Sequence, residues 1–219
     1  MKQKVSLISG FYPIVDTAFL KPDDLVGTAS SLLKGGASVI QLRAKGLGGR
    51  ETLKAAREIK GLASSYGAVF IVNDRVDIAL LSGADGVHLG QDDIPPLEAR
   101  KALGPDAIIG LSTHNADEAK EALSLGADYV SFGPVFATST KKDAQSPKGL
   151  SALKEARGTT PLPIVAIGGI TEENMGKVLG AGATAVAMIS EVLLSDDPGK
   201  KAFSIVATIK GLHWPESRF

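Results

Sequence analysis

The chain of 219 residues contains no cysteine, which excludes disulfide staples, zinc held by thiolates and a thiolate nucleophile. That absence suits a reducing compartment. The chain also lacks net charge: Lys+Arg 24 balance Asp+Glu 24, leaving no overall field to gather nucleic acid or an acidic membrane surface. Any affinity for anions is therefore local, built from a few placed groups. No apolar run approaches the roughly 20 residues of a membrane span. The opening "MKQKVSLISGFYPIVDTAFL" is interrupted by Pro13 and Asp16 and carries no small-residue cleavage pattern. A soluble, cytoplasmic protein is expected, with neither nucleic acid nor membrane among its partners. No proline- or serine-rich linker and no charge run divides the chain, so residues 1–219 are read as one domain, with a peripheral tail after about residue 211.

What is present is a recurring junction: Gly-Ala, a small or acidic residue, then an apolar run. It occurs as "GGASVIQL" at 35, "GADGVHL" at 83, "GADYVSF" at 126 and "GATAVAM" at 182. Glycine ends a helix by accepting the left-handed conformation, and the β-branched residues that follow begin a strand. Amphipathic stretches such as "DDLVGTASSLLK", "RETLKAAREIKGLASSY", "PLEARKAL", "ADEAKEALSL" and "TEENMGKVL" lie between, several opening on capping residues. The apolar runs "YPIV", "VIQLR", "VFIVN", "GVHL", "IIGLS", "YVSF", "PIVAI" and "AVAMI" read as buried parallel strands. Eight strands alternating with helices predict an α/β fold, a single (β/α)8 TIM barrel with its active site at the C-terminal ends of the strands. A doubly wound open sheet is the alternative architecture.

The residues that close each apolar run then become candidates for chemistry. They are Gln41, Arg43 and Lys45; Asn73 and Asp74; Gln91, Asp92 and Asp93; Ser112 and His114; Thr138 to Lys142; Gly168 and Gly169; and Ser190. Arg43, Lys45 and Lys141 can surround a polyphosphate, while Asp74 and Asp93 offer the carboxylate oxygens that a hard cation takes. Each aspartate alone also fits a turn or a helix cap. The glycine pair of "IGGIT" and the "MIS" that closes the last run match a phosphate seat, where backbone N–H groups and a helix N-terminus favour an anion; a tight turn would use the same glycines. "FGPVFATSTKK", residues 132 to 142, ends a buried strand on hydroxyls and ammonium groups, as a solvated loop or an anion clamp would. His88 is read as a core or lining residue, and His114 has no evident orienting partner. A cation site, a basic cluster and a separate phosphate seat suggest two phosphorylated ligands and departure of a diphosphate, which needs charge stabilisation more than a base.

Taken together, "QLRAKG", "IVNDRVDIAL", "GADGVHLGQDD", "GLSTHN", "GADYVSFGPVFATSTKKD", "PIVAIGGIT" and "MIS", in order across residues 12 to 190, resemble the thiamine phosphate synthase family. The resemblance implies a transferase of thiamine biosynthesis that joins hydroxymethylpyrimidine diphosphate to a thiazole phosphate, releasing diphosphate. It implies contacts to the pyrimidine diphosphate from Gln41, Leu42, Arg43, Ala44, Lys45, Asn73, Ser112 and Lys141, with Arg43, Ser112 and Lys141 catalytic. It implies one Mg2+ per site on Asp74 and Asp93, and a thiazole-phosphate seat of Thr138, Ser139, Thr140, Gly169, Ile189 and Ser190. A thiazole tautomerase-like isomerase or a non-catalytic phosphometabolite-binding barrel would share the seat but leave the aspartate pair without a role. The partners implied are small phosphorylated substrates, and analogy with barrels of this size adds self-association into a homo-oligomer.

Overall fold

The computed structural model describes residues 2–138 and 146–212. Ser139, Thr140, Lys141 and Lys142, together with the end of the chain from His213, lie outside the described residues. Within them, β1 (Gly10–Asp16), β2 (Val39–Arg43), β3 (Val69–Asn73), β4 (Gly86–Leu89), β5 (Ile108–Thr113), β6 (Tyr129–Phe132), β7 (Ile164–Ile167) and β8 (Ala185–Met188) close into one barrel in sequence order. All neighbours are parallel, and β8 returns to β1 with Tyr12 opposite Ala187. The apolar runs read from the sequence coincide with these strands to within a residue or two.

Closure follows from composition. Strands such as Val69–Asn73 are apolar on consecutive residues because the outer side chains pack under helices and the inner ones fill the barrel. Phe70, Leu42, Val87 and Ile109 are fully or almost fully buried between sheet and helices. Tyr12, Gln41, His88 and Ser131 face inward, so the upper part of the interior is polar. The chain beyond residue 195 carries no motif, yet it forms the helix Pro198–Gly211, whose Ala202, Ile205 and Ile209 are buried. This helix packs on Leu25–Lys34 and on β1. At Gly35 a Cβ would stand 2.6 Å from that of Ala202, so the glycine permits the close approach.

The recurring Gly-Ala junction has a structural role at the bottom of the barrel. The Asp85 amide donates to the Phe70 carbonyl and the Asp85 Oδ2 accepts from the Phe70 amide, both at 2.9 Å. Asp128 grips Ile109 in the same two-point way, at 2.7 and 2.8 Å, and Thr184 grips Ile164 at 2.8 and 3.1 Å. In these three copies the residue after Gly-Ala thus ties the start of its own strand to the start of a neighbour. Ser38, in the first copy, instead donates to the Leu7 carbonyl at 3.0 Å. The acidic copies are charge-compensated: Lys4 and Lys60 reach Asp85 at 2.6 and 2.7 Å, and Arg100 reaches Asp128 at 2.7 Å.

Burial pushes the Asp85 carboxyl upward, but the Lys4 and Lys60 ammonium groups and the Phe70 N–H outweigh it and hold its pKa below the ordinary value. The fold therefore favours the ionised form. Its stabilisation is present above the unfolded pKa of about 3.9 and is lost as pH falls through the depressed folded value. Asp85→Asn is expected to lower the unfolding free energy by about 1–2 kcal/mol at pH 7. Denaturant titrations at several pH values should show that gap to the parent narrowing below about pH 4.

Candidate active site

The strand C-termini surround a cavity of about 710 Å³, within the range of small-molecule sites. Gln41, Arg43, Lys45, Asn73, Asp74, Asp93 and Ser112 line it on the β2 to β5 side. Thr138, Gly168, Gly169, Ile189 and Ser190 line it on the β6 to β8 side. Leu42 and Ala44 are not among the lining residues. Alternation along β2 turns Leu42 outward into the core, where it is 1% exposed, and Ala44 packs against that core. Ser139, Thr140 and Lys141 lie outside the described residues.

Arg43 owes its place to a residue that the strand-end reading passed over. Asp16 closes β1 directly beside Arg43 in the barrel register, and its Oδ2 accepts from Arg43 Nη1 at 2.8 Å. Its Oδ1 accepts from the Ala18 amide at 2.9 Å, so the carboxylate is held at both oxygens. The pair is buried, with side-chain exposures of 13% and 1%. A guanidinium fixed this way presents its remaining N–H groups to the cavity in one geometry. Period-two alternation in "YPIVD" marks Asp16, together with Tyr12 and Ile14, as inward-facing, and that signal was available in the sequence.

The two carboxylates of β3 and β4 meet. Asp74 lies within hydrogen-bonding reach of Asp93. Neither caps a helix: the helices that follow, Val76–Ser82 and Pro96–Leu103, have Arg75 and Pro95 at their N-caps and no side-chain cap. Asp93 instead accepts from the Gly90 amide at 2.6 Å, closing a turn, and Lys45 Nζ stands 3.2 Å from Asp74 Oδ2. Asp74 adopts φ +62°, a left-handed conformation uncommon outside glycine, asparagine and aspartate. Burial first, then the Asp93 charge, push its carboxyl pKa up, against the pull of Lys45. Two carboxylates crowded on a cavity wall, one of them on left-handed backbone, are the pattern of a functional site rather than a stabilising one.

On the opposite wall, Gly168 and Gly169 have φ of 100° and 62°. A Cβ on Gly168 would stand 2.5 Å from that of Pro134, and one on Gly169 would stand 2.4 Å from the Ala137 carbonyl. The first part of "FGPVFATSTKK" is pressed against them: the Val135 amide donates to the Ile167 carbonyl at 2.8 Å and the Phe136 amide to that of Gly168 at 3.0 Å. The glycines therefore serve this packing and still leave the Gly169 amide without a hydrogen-bond acceptor among the described residues. Facing it, the short helix Ser190–Leu193 starts at the rim, its first amides lacking intrahelical acceptors.

The interior below the mouth is a polar layer. Tyr12, Tyr129, His88 and Ser131 are buried there and hydrogen-bonded to one another. Burial pushes the Tyr12 phenol up to about 12, with hydrogen bonds to Tyr129 and Gln41 pulling the other way. Burial, reinforced by Tyr12, drives Tyr129 well above its ordinary value. Both phenols are neutral at any working pH. His114 does have an orienting partner, which the sequence did not reveal: its Nδ1 lies 2.8 Å from the Gly133 carbonyl, which can only accept.

Comparison with known proteins agrees with this geometry. The family model described as thiamine monophosphate synthase matches residues 11–192. The thiamine-phosphate synthase of Clostridium novyi (strain NT) is 46% identical over 186 residues, covering 85% of this chain and 91% of the relative. That of Shouchella clausii (strain KSM-K16) is 42% identical over 199 residues, covering 91% and 95%. Among solved structures, the thiamine phosphate pyrophosphorylase of Pyrococcus furiosus superposes with a TM-score of 0.86 at 34% identity, covering 95% of this chain and 98% of its own.

Because the fold raises the Asp74 pKa, the ionised carboxylate destabilises the protein at pH values above the ordinary carboxylate range. Asp74→Asn removes that charge and suits the left-handed backbone. Thermal unfolding without divalent cations at pH 7 should give a midpoint above that of the parent.

Proposed function

We propose a division of labour among the mouth residues from the premise that this chain belongs to the thiamine monophosphate synthase family. Its activity is that of a transferase of thiamine biosynthesis. The hydroxymethylpyrimidine group passes from its diphosphate to a thiazole phosphate, and thiamine phosphate and diphosphate are formed. What carries the division of labour is one cavity with cationic groups and paired carboxylates on one wall and a glycine-lined helix start on the other. The aspartate pair, which a tautomerase or a passive binding barrel would not need, favours the synthase reading.

On the first wall, Gln41, Asn73 and Ser112 bind the pyrimidine, and Arg43 and Lys45 take the diphosphate, with Lys141 assigned there by the resemblance. Asp74 and Asp93 suit magnesium: their oxygens are hard donors, and their mutual repulsion is what a divalent cation would relieve. Bound there, it would neutralise charge on the diphosphate oxygens. The carbon–oxygen bond breaks with its electron pair going to diphosphate, where the Arg43 guanidinium, held by Asp16, meets the growing charge. The thiazole nitrogen then donates its pair to the pyrimidine methylene carbon. No proton need move in this step.

On the second wall, Thr138, Ile189 and the amides around Gly169 and Ser190 hold the thiazole phosphate, with Ser139 and Thr140 assigned to the seat by the resemblance. A single barrel domain then suffices for the reaction, and a cytoplasmic location suits substrates that are phosphorylated metabolites. No helix among the described residues is long and apolar enough to cross a membrane.

Incubation of the purified protein with both substrates and magnesium is expected to yield thiamine phosphate by chromatography, and no product under chelation would support the metal's role. Asp74→Asn and Asp93→Asn should each lower turnover by at least ~10²-fold. Retained activity in both would remove the metal assignment. Arg43→Ala should abolish coupling while leaving thiazole-phosphate affinity nearly unchanged by calorimetric titration. Thr138→Val should raise the KM for thiazole phosphate about fivefold, as a lost hydrogen bond of ~1 kcal/mol does, with little change in kcat.

A further inference from the structure

A hydrogen-bonded chain crosses the barrel interior from β2 to β5. Gln41 Nε2 donates to Tyr12 Oη at 2.9 Å, and the Tyr12 and Tyr129 hydroxyls lie 2.9 Å apart. Tyr129 Oη is 3.0 Å from His88 Nδ1, and His88 Nε2 is 3.1 Å from Ser112 Oγ and 3.2 Å from Ser131 Oγ. The two ends of this chain, Gln41 and Ser112, are two of the three residues assigned above to the pyrimidine. The sequence makes room for it at Gly110, where a Cβ would stand 2.2 Å from Tyr129 Cζ and 2.4 Å from His88 Nδ1.

Counting donors fixes its direction. An amide nitrogen only donates, so Tyr12 Oη accepts from Gln41. Tyr12 is 1% exposed, and its own proton then has one remaining acceptor among the described residues, Tyr129. With the opposite order, Tyr12 would accept twice and its proton would be buried without an acceptor, which carries the desolvation penalty of an unmade hydrogen bond. Tyr129, having accepted, donates to His88 Nδ1. The imidazole proton is therefore on Nε2, facing Ser112 and Ser131. That one N–H is shared between the two hydroxyls, neither of which can donate back to Nε2, so the Ser112 proton is turned away from the ring and is available to the cavity.

Resting on the site assignment above, we infer that Tyr12, Tyr129 and His88 are positioning residues, which hold Gln41 in place and present the Ser112 hydroxyl as a donor to the substrate's pyrimidine ring. Ring nitrogens of a pyrimidine accept and cannot donate, so a serine whose proton pointed back at His88 would oppose one lone pair to another. The chain selects the productive orientation before substrate arrives, and no reorganisation is needed on binding.

The test begins on the substrate-free, full-length protein. Nitrogen-15 correlation spectra of the histidine rings should show His88 as the Nε2–H tautomer, its signal identified by loss in His88→Asn. An Nδ1–H tautomer in the parent overturns the inference, whatever the kinetics. Tyr129→Phe removes one hydroxyl while keeping the ring, and Tyr12→Phe repeats the cut one bond upstream should the first variant fold poorly. Either should abolish the single tautomer and lower kcat/KM for the pyrimidine diphosphate roughly tenfold, with the KM for thiazole phosphate unchanged. In a Ser112→Ala background the same substitution should add little, because its effect runs through that hydroxyl. Equal losses toward both substrates, or fully additive losses with Ser112→Ala, would show a merely structural role and overturn it. If Ser112→Ala alone left the pyrimidine kinetics untouched, the assignment of Ser112 would fall and the inference with it. The tautomer measurement involves no substrate, so that failure is distinguishable from failure of the chain itself.

Discussion

Every strand of this barrel runs in the same direction and is hydrogen-bonded on both edges, and the mouth exists because of that constraint. With one direction, all the C-terminal ends meet on one rim. With both edges paired, no strand can slip by a residue without turning its inner side chains outward against the helices. Arg43, Asn73 and Ser112, dispersed through the sequence, face one cavity because each is an inward position at the end of its strand. The two-point grips of Asp85, Asp128 and Thr184 on the strands beside them anchor that register at the opposite end. Stability is invested at the bottom and chemistry at the top, the partition expected of a barrel of this kind.

The electrostatics follow the same partition. At the bottom, charges are paired for stability: Asp85 with Lys4 and Lys60, Asp128 with Arg100. At the top, the pairing is unequal. Arg43 is paired with Asp16, which fixes where it points, whereas Asp74 is raised in pKa by burial first and then by the Asp93 charge, against the pull of Lys45. A chain with no net charge therefore binds anions through arrangement alone. The crowded aspartates are a local cost to the folded state that a bound cation would relieve, an instance of function held against stability.

The mouth also rests on a rigid polar floor. Buried tyrosines and a histidine are costly unless every donor finds an acceptor, and here the chain from Gln41 to Ser112 satisfies them in one direction. Gly110 and Gly86 show how tightly that interior is filled, since a Cβ on Gly86 would stand 1.9 Å from the Ile108 carbonyl. The opposite wall is held differently, by backbone pairing of Val135 and Phe136 with the chain before Gly169.

The strands, their order and most of the mouth were legible in the sequence, because period-two alternation, glycine-marked helix ends and strand-end polarity are properties of a few adjacent residues. "VIQLR", "VFIVN" and "GVHL" begin and end where the sequence indicates, and Arg43, Asn73 and Asp74 stand at the ends as expected, whereas Gln41 lies in the middle of β2 and reaches the cavity from below. The inward place of Asp16 is likewise carried by a local signal, the alternation in "YPIVD". Other features had no local signal at all. Tyr12 and Tyr129 are 117 positions apart, and only closure and register bring their hydroxyls together. Nothing near Asp74 and Asp93 says that they meet each other rather than cap the helices that follow, and nothing near Leu42 says that its place in "QLRAK" faces away from the cavity. In the sequence the glycines at 168 and 169 fit a phosphate seat or a tight turn, and only the fold shows the chain around Pro134 pressed against them. The sequence by itself determined which residues lie on which face of each strand, a property of backbone geometry over two or three residues. Which of those faces touch, and so which side chains become partners, was decided only by the tertiary structure, because hydrogen bonding between strands far apart in the chain sets the register.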